Sequence, residues 1–396
     1  MRKPNAGALL GLKVIDLTRL LPGPLATMLM GDMGAEIIKI ELPNAPDYAR
    51  NFPPYKNGES LAFLAFNHSK QSLALDYQVE EGKQILLGLV KEADIFIEQF
   101  RPAYLAKMGL GYEDLKKINP KIIYVSLTGY GQTGKYKDLA GHDLNYIGFA
   151  GLLAGNRFSA PQMPTTQMAD IAGGSYMAII GCLAALYARE RTGEGQWVDV
   201  AMLDGCMPLA INALSWAWNV GKAQAREQGL LSGGMINYAI YPCKDGKFIA
   251  LGTLEAKFWQ KFCTLIQKQE WTNRMVAPDK ATFMQWKNEL TVVFQTQNSD
   301  YWAAIGFEND LLISPIYEAD EADKDEHIRS RNMVVEVEHP KAGKIKNIGA
   351  PIKFSATPAQ VFRPSPLLGE DSEAILKEMG ISESAIKELK SKGIIK

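Results

Sequence analysis

The chain has 396 residues, enough for two domains at the usual ~150 residues each. Hydrophobic residues make up 47% and charged residues 22%, the balance of a globular protein with a sizeable core. A formal net charge of −1 argues against nucleic acid or an anionic membrane surface as partner, because it attracts neither. Cys182, Cys206, Cys243 and Cys263 form no Cys-x-x-Cys or Cys/His cluster, so neither a metal site nor a disulfide framework is expected. A reduced, cytoplasmic compartment fits that cysteine usage. The N-terminus has too short an apolar patch for a signal peptide, and no window reaches the ~18 apolar residues expected of a membrane span.

Lys13–Leu17 is a short β-branched run, followed by a turn at Leu20-Leu21-Pro22-Gly23-Pro24 and a helical stretch over Leu25–Met33. Gly34-Ala35 leads into a second strand, Glu36–Glu41. This βαβ unit predicts a parallel sheet with right-handed crossovers. It has a proline-rich turn where GxGxxG would stand, so a dinucleotide site of the usual kind is not supported. After a polar, proline-bearing loop, Asn67–Ser72 enters the strand Leu73–Asp76, and Lys70 there could meet a phosphate or sit in a solvated turn.

Helical spacing over Glu80–Glu92, a strand at Asp94–Glu98 closed by Phe100-Arg101-Pro102, a helix over Leu105–Asn119 and a buried strand at Ile122–Leu127 follow. Strands alternating with helices predict an α/β fold, a doubly wound Rossmann-like layer. In such sheets ligands collect beyond the C-terminal strand ends, where Arg101 and Thr128-Gly129-Tyr130-Gly131 fall.

Gly141-His142-Asp143-Leu144-Asn145-Tyr146 carries one of four histidines. A single His is commonly structural, yet His is also the commonest general acid/base. Farther on, Asp170 precedes Gly173-Gly174 and the apolar run Met177–Tyr187, which reads as a helix with an acid at its entrance. The ordinary role of such an Asp is an N-cap. The alternative is chemical, because the helix dipole and free N–H groups there could hold a substrate oxyanion. Leu152–Met168, with Met163 and Met168, could line an apolar channel, although methionines beside a helix are commonly core. Tyr238–Leu251 reads as a hairpin turning at Lys244-Asp245-Gly246, Val334–Ile348 as strands around Gly343, and Glu370–Lys396 as a charged region with two short helices.

Taken together, these motifs resemble the family III CoA-transferase and α-methylacyl-CoA racemase superfamily over nearly the whole chain. The resemblance rests on Val14–Thr18 with Pro22-Gly23-Pro24, Gly34–Glu41, Asn67–Asp76, Phe100-Arg101-Pro102, Thr128–Gln132, the Asp170–Met202 block, Pro351-Ile352-Lys353 and Leu367–Asp371. It implies ring-like subunits threaded into an interlocked homodimer. The large α/β domain would combine residues 1–220 with 331–396, and a smaller α+β domain would occupy 221–330.

The resemblance also implies that Asp170 is either the nucleophile of a transferase, forming an aspartyl-CoA thioester, or half of a two-base racemase pair. In the racemase branch His142 is the other half, and Glu255, in Gly252-Thr253-Leu254-Glu255, supports the histidine. Expected CoA-binding residues are Lys39, which stands where many relatives have arginine, with Lys70, Arg101, Gly129, Tyr130 and Gly131. The intact histidine motif favours the racemase, acting on 2-methylacyl-CoA thioesters, over CoA transfer between carboxylic acids. A catalytically dead CoA-binding protein is the third reading. Coenzyme A would be part of the substrate, with no further cofactor and no metal.

Overall fold

The computed structural model describes residues 6–154, 161–225 and 229–396. The chain divides into two compact units. The first comprises residues 1–150, 164–209 and 326–396, and the second residues 151–163 and 210–325. The second unit therefore begins at Ala210 rather than 221, the first resumes at Glu326 rather than 331, and the segment 151–163 belongs with the second.

The first unit is built on a six-stranded sheet. Its strands lie side by side in the order Gln71–Ala74, Glu36–Glu41, Lys13–Asp16, Ile95–Glu98, Ile123–Thr128 and Trp197–Ala201, every neighbouring pair parallel. The chain adds strands outward on one side of Lys13–Asp16 and then crosses to its other side. The crossing makes a topological switch point between Lys13–Asp16 and Ile95–Glu98, and a crevice opens there beyond the strand ends. Ile15, Phe96, Leu73 and Ile123 are fully buried because both sheet faces are covered, which is why these strands read as continuous apolar runs.

Two expectations about helices are revised. Leu105–Asn119 is not one helix: a 3₁₀ turn at Ala106–Met108 ends at Gly109, whose φ of +68° suits glycine, and an α-helix begins at Tyr112. Asp170 does not sit before a Gly-Gly turn. Residues Ala169–Tyr176 are themselves a π-helix that runs directly into the α-helix Met177–Thr192. The combined Ala169–Thr192 element is long and apolar enough to cross a membrane, correcting the expectation that no stretch would be. Its apolarity has a packing cause, because Ala178, Cys182, Ala185 and Leu186 are buried on the side that meets the sheet. Tyr176, Ile180, Leu183 and Tyr187 are exposed.

The second unit has a three-stranded antiparallel sheet, Ile313–Pro315, Phe248–Gly252 and Tyr238–Pro242, with the expected hairpin turning at Gly246 (φ +78°). Its own core gathers Trp259, Phe262, Phe294 and Tyr241 under the helices Ala256–Leu265 and Lys280–Phe294. In the first unit, Val334–His339 pairs with Gly343–Ile348 as a hairpin, and two short helices, Ser372–Glu378 and Glu383–Ser391, close the chain.

Candidate active site

A cleft of about 560 Å³ opens at the switch point, lined entirely by the first unit. Leu20 and Pro22 reach it from the turn after the Lys13–Asp16 strand, Gln99–Pro102 from the end of Ile95–Glu98, and Thr128-Gly129 from the end of Ile123–Thr128. His142, Asn145, Tyr146 and Asp170 close the far wall. The imidazole and the carboxyl singled out from sequence thus face one cavity.

Asp170 is the second residue of the π-helix, and the π-helix is fixed by backbone-to-backbone packing. A Cβ on Gly173 would lie 2.4 Å from the Met202 carbonyl oxygen, and one on Gly205 only 2.2 Å from that of Gly173, so two chain segments touch where only glycine fits. The Ser175 hydroxyl donates to the carbonyl oxygens of Pro22 (2.7 Å) and Asp170 (3.1 Å). Burial first, and the charge of Asp143 second, push the Asp170 carboxyl up to about 7.

His142 is the N-cap of the helix Asp143–Phe149, and its backbone N–H donates to Asn145 Oδ1 at 3.0 Å. The residue is exposed and lines the cleft. Tyr146 donates to the Gly141 carbonyl at 2.6 Å, and its ring lies where a Cβ on Gly129 would be. Burial, Asp170, Tyr130 and Asp143 hold its phenol well above the ordinary range, so it stays a neutral donor.

Of the backbone donors expected over Asp170–Gly174, the first two are already engaged, as is that of Ala169 before them. Ala169 and Asp170 donate their N–H groups to Asp143 Oδ1 at 2.6 and 3.0 Å, and Ile171 donates to the Gln167 carbonyl. The expected oxyanion-holding role of these first amides is therefore corrected.

The CoA-binding expectations separate cleanly. Arg101 is exposed on the cleft wall, with one guanidinium N–H 3.5 Å from the Asp138 carbonyl, and Lys137 is the second long cation lining the cavity. Gly129 lines it as well. Lys39 and Lys70 are corrected: both are fully buried and neither lines the cleft. Lys39 Nζ donates to the Thr18 carbonyl at 2.8 Å and pairs with Asp47 at 3.0 Å. Lys70 Nζ lies 3.1 Å from Asp16 Oδ2 and 2.9 Å from Asn67 Oδ1. Burial alone would raise the Asp16 carboxyl. Lys70, Lys39 and the hydroxyls of Thr18 and Thr27 outweigh it and hold the group down to about 2.

Tyr130 and Gly131 also lie outside the lining. The Tyr130 ring packs edge-on against Tyr146 at 5.1 Å, and Gly131, at φ +82°, donates to the Thr128 hydroxyl. Glu255 belongs to the second unit, where it is an exposed N-cap residue of the helix Ala256–Leu265 whose side chain makes no cap hydrogen bond. Met163 is exposed in the second unit, while residues 155–160 of the expected apolar loop lie outside the described residues.

Sequence reading passed over Tyr48, Gln99 and Lys137, which all line the cleft. Gln99 had a usable signal in its place beside a strand end. Tyr48 opens a short 3₁₀ turn, Tyr48–Asn51, and Lys137 stands in a turn, neither with a periodic pattern. Glu98, just behind Gln99, accepts the Phe100 N–H at 2.7 Å, and burial pushes its carboxyl up to about 7. Among the described residues no three His, Cys, Asp or Glu side chains gather as for a metal ion.

Comparison with known proteins agrees with this architecture. The family model for CoA-transferase family III matches residues 9–372. The chain is similar to human succinyl-CoA:glutarate CoA-transferase, 32% identical over 99% of this chain and 90% of that protein. It is similar to human alpha-methylacyl-CoA racemase at 31%, covering 98% of this chain and 97% of the relative. Among solved structures, a CAIB/BAIF family protein from Brucella suis superposes with a TM-score of 0.82 at 30% identity, over 95% of this chain and all of that one. A fold, a switch-point cleft and a near full-length family match converge, and the chain belongs to CoA-transferase family III.

Proposed function

We propose that this family member is a racemase that inverts the α-carbon of 2-methylacyl-CoA thioesters. The observation that carries the reading is that His142 and Asp170 line one cleft, where burial and the neighbouring Asp143 push the Asp170 carboxyl up to about 7. Inversion needs one group to take the α-proton from one face and another to return a proton to the opposite face, each able to hold or release it near neutrality. Between the two transfers the thioester is an enolate.

Arg101 and Lys137 suit the phosphates of CoA, which is part of the substrate; no further cofactor is assigned. We assign the protein to the cytoplasm and to fatty-acid metabolism, working as an interlocked homodimer of ring-like subunits. The exposed apolar face of Tyr176, Ile180, Leu183 and Tyr187 supports self-association.

The second reading is CoA transfer between carboxylic acids through an aspartyl-CoA thioester on Asp170, favoured by the similarity to transferases. Incubation in D2O with a 2-methylacyl-CoA and no acceptor acid separates the two. Deuterium at the α-carbon with loss of stereochemical purity is the expected result, abolished in His142→Ala. Movement of CoA to an added carboxylate without exchange, with Asp170 trapped by hydroxylamine, would overturn it in favour of the transferase.

A further inference from the structure

Asp143 belongs to the same short motif as His142, yet the two-base reaction leaves it without a task. The residue is 9% exposed, and one carboxyl oxygen, Oδ1, accepts both the Ala169 N–H at 2.6 Å and the Asp170 N–H at 3.0 Å. These amides begin the π-helix, so the helix that carries the imidazole and the helix that carries the carboxyl are tied through one side chain. A buried carboxyl on a surface helix is costly unless it is hydrogen-bonded, and here the bonds run to the backbone of the other reacting residue. Both ends of the cavity wall are thereby set by adjacent residues, His142 and Asp143.

We propose that Asp143 is the positioning residue of this site: it fixes the first turn of the π-helix and keeps a negative charge against the Asp170 carboxyl. The proposal rests on the proton-transfer reading for its meaning in the reaction, while the Asp143–Asp170 coupling itself is independent of substrate. Asp143 is the group whose charge acts on Asp170, after burial. Arg101 and Lys137 are the cations of the same cleft wall, and neither is among the causes that set the Asp170 carboxyl, which are burial and Asp143. Tyr48 and Tyr146 are pushed upward by burial and by nearby carboxyls, and His142 shares the cleft wall. Of the elements packed on the π-helix, Met202–Cys206 brings Asp204 and Cys206, and both of these are also shifted upward. Pro22–Asp32 brings Asp32, bonded to His68, and Trp197–Ala201 brings Asp199, which accepts the Gln132 N–H. The helix Met177–Thr192 carries Cys182 and Tyr187, with Arg189, Glu190 and Arg191 in its last turn. A carboxyl in these surroundings keeps its proton near neutral pH and can hand it over, which is the behaviour of a general acid/base.

The test is the titration of Asp170 in full-length protein labelled with 13C at aspartate carboxyls, its signal assigned by loss in Asp170→Asn. In the unsubstituted chain the midpoint is expected near 7. In Asp143→Asn, which keeps an acceptor oxygen but removes the charge, it should fall by about one pH unit. The acidic limb of the α-proton exchange profile should move with it. Asp143→Glu, which keeps the charge but displaces the oxygen, should hold the midpoint while lowering kcat at least tenfold with KM little changed. An Asp170 that titrates in the ordinary carboxylate range in the unsubstituted chain overturns the proposal without any variant having to fold. So does a midpoint unmoved in folded Asp143→Asn. Absence of exchange in the unsubstituted protein with the midpoint at 7 would defeat the racemase reading but leave the coupling standing.

Discussion

Asp47 joins the buried Lys39 to the wall of the cleft: one carboxyl oxygen lies 3.0 Å from the Lys39 ammonium, and the other accepts the Leu20 N–H at 3.1 Å. Leu20 has a φ of +62°, a conformation that side-chain-bearing residues adopt only when their surroundings impose it. Lys39 and Lys70 therefore serve the site from behind, by holding the turn that follows the first strand, and this gives them a different mutational signature from a cation that meets substrate.

Lys70→Met strands the Asp16 carboxylate in the interior and should cost ~3–5 kcal/mol in urea unfolding at pH 7. Arg101→Ala removes an exposed cation and should leave stability within ~0.5 kcal/mol while raising KM for acyl-CoA about tenfold. A stable Lys70→Met protein with only a raised KM would refute the structural assignment of that lysine.

Asp170 gives a stability signature of its own. Its folded pKa, about 7, lies above the ordinary 3.8, so the folded state binds the extra proton between those values. The associated stability is complete below the lower value and is lost as pH rises through 7. Asp170→Asn should accordingly be more stable than the unsubstituted chain at pH 8, by on the order of 1 kcal/mol after discounting for the partial exposure of the carboxyl. The gap should close toward pH 5. Thermal unfolding across that range measures it, and a variant less stable at pH 8 would contradict the strained-carboxyl account.

Gly205→Ala tests how the π-helix is held. Its new Cβ would meet the Gly173 carbonyl oxygen at 2.2 Å, an atom of fixed backbone rather than a side-chain end. A loss of ~1–3 kcal/mol is expected. The rate of α-proton exchange should fall further than stability alone explains, because the displaced segment carries Asp170. Unchanged exchange in a folded Gly205→Ala would show that the carboxyl does not depend on this crossing.

Ile180 is 56% exposed and Tyr187 68% exposed on one face of the long helix. If that face meets a second copy of the chain, Ile180→Glu with Tyr187→Glu should lower the thermal stability of the dimer or block its assembly, read by thermal unfolding and by sedimentation of freshly refolded protein. A double variant that refolds to a dimer of unchanged thermal stability would move the proposed interface elsewhere.

Local pattern was enough to read the alternation of strands and helices and the hairpins at Gly246 and Gly343, because each depends on neighbours within a few residues, whereas the pairing of His142 with Asp170, 28 positions later, came only from the family resemblance. Tertiary structure alone decided which charges face the cavity. Lys39 and Lys70 read as surface cations until Asp47, Asp16 and Asn67 surround them, and Asp143 reaches backbone amides 26 and 27 positions away. The π-helix at Asp170 likewise depends on Gly205 coming to rest against Gly173. Burial and ion pairing bring together groups far apart in the chain, and such contacts leave no period in the sequence from which they could be read.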